Sequence, residues 1–156
     1  MTTPAADFID RTLRAEGSEA RAIADASRIG GGLAFYGASV GAVRGAVRDA
    51  GRRHPELAHD DVTALASELW AEPVYERRLA AIVLLQGQVP TLLVSDFTRL
   101  EQMLRSASGV GELVDPLISD VVRPLLARLE GVDAERAGRI VDRWAREGLV
   151  QGWGHG

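Results

Sequence analysis

The strongest constraint on the fold lies in Leu69-Trp70-Ala71-Glu72-Pro73-Val74-Tyr75-Glu76-Arg77-Arg78-Leu79-Ala80-Ala81-Ile82-Val83-Leu84-Leu85. An amphipathic helix ends here, breaks at Glu72-Pro73, and gives way to a second helix whose apolar side runs through Leu79, Ile82 and Val83. Helices joined by so short a connection must pack on each other, and such hairpins are the unit of stacked helical-repeat proteins. The rest of the chain alternates helical periodicity with short breaks. No segment shows period-2 alternation bounded by turns. The expectation is an all-α chain. Helical pairs recur roughly every 35 to 40 residues, the range of HEAT-type repeats, which predicts a HEAT-like helical-repeat solenoid of stacked antiparallel helix pairs.

The boundaries follow from caps and breakers. Pro4 suits a first helical turn, with Phe8, Ile9, Thr12 and Leu13 on one face and Gly17 as the stop. A second helix is expected after Ser18, running through Ile23, Ile29 and Leu33 with Gly30-Gly31-Gly32 as a weak point inside it. Ser39 should cap a third, which carries Val40, Val43 and Val47 and stops before Pro55. Asp60 or Asp61 should cap the helix leading to Trp70, and Ser95 or Asp96 one bearing Phe97, Leu100, Met103 and Leu104. Pro116 and Pro124 must start turns or bend the element that follows Gly111. A last helix is expected over about 134–146, capped by Asp133 and closed by Gly148. Residues 1–148 read as a single domain and 149–156 as an irregular glycine-rich tail.

Composition narrows the function classes. The 18 basic residues are all arginine, and with the alanine and glycine excess they suggest a GC-rich bacterial genome. The net charge is −4, so contact with nucleic acid would require a local concentration of arginines. Arg44, Arg48 and Arg52 supply one at i, i+4, i+8, with Arg53 beside them, and Arg77 and Arg78 open the helix after Pro73. Such a stripe can touch successive phosphates with little sequence preference. It can equally be a solvated face paired with Asp49, Glu72 and Glu76. No cysteine is present, which excludes disulfides and thiolate chemistry. His54, His59 and His155 lack ligand spacing, so no metal or other cofactor is expected. Gly30-Gly31-Gly32 follows no strand and precedes no lysine, which rules out a phosphate loop. Trp70 and Trp144 read as packing residues. The start lacks signal-peptide features and no apolar run could span a bilayer, so a cytoplasmic protein without membrane contact is expected.

Three segments, Phe35-Tyr36-Gly37-Ala38-Ser39-Val40-Gly41-Ala42-Val43-Arg44, then Leu69 through Arg78, then Glu112-Leu113-Val114-Asp115, resemble in order segments of the AlkD-like DNA alkylation repair family. The resemblance covers about residues 5–146. It implies an α-helical HEAT-like solenoid with a positively charged surface for duplex DNA, and excision of N3- or N7-alkylated purines without a metal or cofactor. It places Asp115 as the acid that stabilises positive charge developing on the deoxyribose, and makes the duplex backbone the partner of Arg44, Arg48, Arg52, Arg77 and Arg78. From its own surroundings Asp115 is equally readable as the N-cap of a helix starting at Pro116.

The chain departs from the family's pattern at two places. The aromatic that the family carries four residues before its acid falls on Gly111, and no arginine follows Arg146. The sequence thus reads as C-terminally shortened, which suggests self-association through that end, testable by light scattering. The alternative to a glycosylase is a catalytically inactive helical-repeat module that binds DNA or protein.

Overall fold

The computed structural model describes residues 2–150. The chain is all-α and consistent with a helical-repeat fold: among the described residues only an isolated bridge between Ala34 and Val74 has β geometry. The chain divides between Gln88 and Val89 into two compact units, where the sequence suggested one domain over 1–148.

In the unit ending at Gln88, α1 (Pro4–Glu16) opens because the Thr3 hydroxyl accepts the Ala6 N–H. Ser18 and Ser39 cap α2 (Glu19–Ile29) and α3 (Val40–Arg53) in the same way. α4 (His59–Ala71) and α5 (Tyr75–Gly87) form the expected hairpin across Glu72-Pro73-Val74. Helix α1 packs on α3, α4 and α5, and α5 also packs on α3 and α4. The shared core holds Ile9, Leu13, Val43, Leu69, Ile82 and Leu85, all fully enclosed. Each such side chain contributes about 1.5–3 kcal/mol by leaving water.

Several boundaries differ from expectation. Helix α2 stops at Ile29 instead of reaching Leu33, because Gly30, Gly31 and Gly32 all adopt left-handed φ of 65–72° that terminates the helix. Val40 is exposed, so it does not join the apolar face of Val43. Neither Asp60 nor Asp61 is the N-cap of α4. Ala58 holds that position, and Asp61 reaches back from inside the first turn to accept the Ala58 N–H at 3.1 Å.

Two glycines are required where α1 turns into α2. A Cβ on Gly17 would lie 2.1 Å from the Tyr36 carbonyl oxygen, and one on Gly37 (φ 79°) 2.1 Å from that of Ser18. The two backbones touch there, joined by the Ser18 N–H donating to the Gly37 oxygen. The 36–38 loop is then tied down by Glu76, a fully buried carboxylate that accepts the N–H groups of Tyr36, Gly37 and Ala38 at 2.9–3.1 Å.

The unit from Val89 onward contains two short 3₁₀ turns, α6 (Phe97–Ser106), α7 (Gly111–Pro116), a π-helical segment (Leu117–Val122), α8 (Arg123–Arg128) and α9 (Gly131–Arg146). Phe97, Leu100, Met103 and Leu104 are buried as the periodicity predicts. Asp96 does not cap α6 with its side chain, which instead accepts the Leu93 N–H and closes the preceding turn. Pro116 and Pro124 do not break the element. The helix widens between them, so that the Arg123 N–H donates five residues back to Ile118, which makes room for the ring of Pro124 over the carbonyl four residues before it. Helix α9 begins at Gly131, three residues before the expected start, with Glu130 and not Asp133 as its N-cap. Gly148, at φ 75°, follows its end as predicted. Trp153, His155 and most of the expected tail lie outside the described residues.

Candidate nucleic-acid interface

The arginines named from the sequence fall into two groups. Val43, Ala46 and Ala50 bury one face of α3, which turns Arg44, Arg48 and Arg52 outward together. Arg48 and Arg52 are 64% and 75% exposed, and among the described residues their ion-pair partner is the carboxylate of Asp49, at 3.9 and 3.8 Å. Exposed pairs at that distance contribute about 0–1 kcal/mol, so both guanidinium groups can exchange Asp49 for another anion. Arg44 has no ion pair or hydrogen bond among the described residues. Gly41 precedes the arginines and Gly45 and Gly51 lie between them, and Cβ atoms built on all three meet no backbone outside their own helix within 4 Å. A rod-like polyanion could therefore approach the helix closely while the arginines reach past it. Arg53 lies 4.4 Å over the ring of Phe8.

Arg77 and Arg78 are placed quite differently. Helix α4 ends at Ala71, which leaves its last four carbonyls without intrahelical donors. Arg77 donates to Glu68 and Leu69 at 3.0 and 3.3 Å, and Arg78 donates to Trp70 at 3.1 Å. Three of the four orphan carbonyls are thus capped by arginines of the next helix, with positive charge at the negative end of the α4 dipole. Arg77 is 7% exposed, and its remaining donor meets Asp10 at 3.0 Å. Arg78 stacks 5.1 Å from the centre of the Trp70 ring, and burial lowers its pKa. As placed, Arg77 faces no solvent from which DNA could reach it. Glu76 likewise does not pair with these arginines.

Around Asp10 the polar groups close on each other. Its carboxylate accepts from Arg77, from Tyr36 Oη at 2.5 Å and from Arg14 at 2.8 Å. Burial pushes the Asp10 carboxyl up, but the bonds from Tyr36, Arg14 and Arg77 outweigh it and hold the group below the usual carboxylate range. Burial and the Asp10 bond push the Tyr36 phenol up to about 12. Sequence reasoning did not find this cluster, whose members are separated by 26 and 67 residues.

The second unit carries Asp115 in the last turn of α7, directly before the π segment. It is not an N-cap: α7 opens at Gly111 behind Val110, and the helix continues past Pro116. Asp115 is exposed and has no hydrogen bond or ion pair among the described residues. Apart from the helix's own backbone and chain neighbours, the atom that a Cβ built on Gly111 meets among the described residues is Asp115 Oδ2, at 3.8 Å, so the two positions share a face. An exposed carboxylate next to a glycine without a side chain can face a cation. Elsewhere in this unit, Glu101 accepts from Arg143 and from the fully buried Trp144 indole, both at 2.7 Å, and from Arg105. The bonds from Arg143 and Trp144 pull its carboxyl down to about 2. Trp70 and Trp144 are both buried, as the packing reading predicts. Among the described residues no group of three His, Asp or Glu side chains could hold a metal ion, and no helix is long and apolar enough to cross a membrane.

These features define an all-α protein with an exposed cationic helix face and a free acid at a helix discontinuity. The model of the DNA alkylation repair enzyme family matches residues 9–149, and the chain belongs to that family, with a general role in DNA alkylation repair. No curated protein matches the chain.

Proposed function

We propose that the protein binds duplex DNA through Arg44, Arg48 and Arg52 and excises N3- or N7-alkylated purines, with Asp115 as the acid beside the sugar. The observation that carries DNA binding is the exposed α3 face, where three arginines stand among glycines with only Asp49 to compete. Alkylation at N3 or N7 makes the purine a cationic leaving group. The bond from C1′ to the base breaks with its electron pair going to the base, and positive charge develops on the deoxyribose. A fixed carboxylate stabilises that charge and takes the proton of the water that adds to C1′. Free alkylated base and an abasic site result.

Gly111 favours the second reading, a binding module without excision activity, since no side chain at that position packs against the sugar. Release of base from duplex DNA containing N7-methylguanine decides between them. Release above the spontaneous rate that Asp115→Asn abolishes supports excision. Equal release from both proteins, or none, overturns it.

A further inference from the structure

The first unit also contains a cavity beside the C-terminal end of α3, whose cap residue His54 lines it. It measures about 280 Å³ and is formed by the start of α1, the outer side of α4 and the 54–58 loop. Pro4, Ala5, Leu57 and Leu65 give it an apolar interior. Ala5 and Leu65 are buried core residues, so the floor is continuous with the packed interior. Glu56, Asp61 and Glu68 also line it, together with His54, and none of the chain's 18 arginines does. Asp61 and Glu68 each spend part of their capacity on the chain itself, Asp61 on the Ala58 N–H and Glu68 on the N–H and hydroxyl of Thr3. Those bonds fix the two carboxylates at the rim. Glu56 stands out into solvent at 66% exposure, with His54 as its neighbour at 3.3 Å.

Size and charge select the occupant. At about 280 Å³ the cavity lies at the small end of the range for ligand pockets, roughly 300 Å³ and upward, and has room for one large side chain. Three carboxylates repel phosphate, so the cavity does not suit a nucleic-acid backbone. An apolar interior with an anionic rim complements a long aliphatic stem that ends in a cation. We propose that this cavity is a docking socket for an arginine side chain presented by a basic segment of a partner protein, with the stem against Leu57 and Leu65 and the guanidinium among Glu56, Asp61 and Glu68.

The test uses the full chain and a fluorescent peptide, acetyl-Ala-Leu-Arg-Ala-Leu-amide, with a second peptide in which citrulline replaces arginine. Citrulline keeps the shape and removes the charge. The proposal expects amide shifts confined to the first turn of α1 and residues 54–68, and affinity at least tenfold weaker for the citrulline peptide. Glu56→Gln should weaken the arginine peptide severalfold, and Ala64→Trp, which fills the mouth from an exposed position of α4, should abolish binding. Both variants should keep the thermal midpoint and duplex DNA affinity of the parent. Equal binding of the two peptides, shifts outside this region, or binding that survives Ala64→Trp in a folded protein overturns the socket. Binding of free agmatine as tightly as the peptide assigns it to small amines and overturns the partner. Peptide binding that appears only after removal of residues 1–2 assigns it to the chain's own N-terminus and does the same.

Discussion

Helices α3 and α5 both carry arginines that the sequence offers as DNA contacts, and the structure places them in opposite ways. On α3 the buried face consists of valine and alanine, so Arg44, Arg48 and Arg52 have nowhere to go but outward. On α5 almost every residue of the first two turns is buried, including Glu76 and Arg77, because that helix lies against α1, α3 and α4 at once. An arginine there survives burial only by finding acceptors, and the open carbonyl end of α4 provides them. The same residue type is a candidate ligand contact on one helix and a cap on the other. What separates them is the number of neighbours around the helix, which local spacing does not reveal.

This contrast can be broken by substitution. The largest effect is expected at Glu76→Ala, which strands three buried N–H groups of the 36–38 loop. At about 1–3 kcal/mol for each unsatisfied group, softened by water entry, the loss should be about 3 kcal/mol in urea unfolding. A loss below about 1 kcal/mol would show that the loop is held by something else. Arg77→Met should cost about 2 kcal/mol, less than a fully broken buried pair, because Asp10 keeps Tyr36 and Arg14. Duplex affinity of the folded Arg77→Met protein should stay within about twofold, and a larger drop would restore Arg77 to the DNA surface.

The second unit adds a pH-dependent comparison. The Glu101 carboxyl is held near 2 in the folded protein against an ordinary 4.5, so its stabilisation is complete above about 4.5 and is lost as pH falls toward 2. Glu101→Gln can still accept from the Trp144 indole but does not titrate. The variant should therefore lose less stability than the parent between pH 4.5 and 2, measured as the shift in urea midpoint. Identical slopes would remove the charge from the account. The smallest effect is expected at Asp49→Asn, whose exposed contacts to Arg48 and Arg52 are long. Stability should change by less than about 0.5 kcal/mol while duplex binding strengthens slightly.

The features legible in the sequence were the ones set by neighbouring residues. Ser39 before Val40, Pro73 after Trp70 and Phe97 three before Leu100 each act within one helical turn, and the elements formed where the pattern places them. A glycine run such as Gly30-Gly31-Gly32 permits both a frayed helix and a left-handed stop, and local sequence does not choose between them; the structure has the stop, with φ of 65–72° at all three. The π segment lies between two prolines eight residues apart in a helix buried on one face, and a wider turn there accommodates the missing proline N–H in a way that spacing alone does not announce. Asp115 was open to two readings, and the position of Gly111 as the first residue of α7 removed the capping one. The capping role of Arg77 reaches back across the hairpin to carbonyls eight and nine residues earlier, and its ion pair joins it to Asp10, 67 residues away, so neither contact lies within one helical turn.

The division between the two arginine-bearing helices is tested most directly by the salt dependence of duplex binding for Arg44→Ala/Arg48→Ala, set beside Arg78→Ala. Each lost phosphate contact removes about 0.9 from the slope of log K against log salt concentration. The double substitution on α3 is predicted to flatten the slope by about 2 and weaken binding at low salt, with Arg78→Ala leaving the slope unchanged. A slope that is unmoved by the α3 pair but flattened by Arg78→Ala would contradict the account.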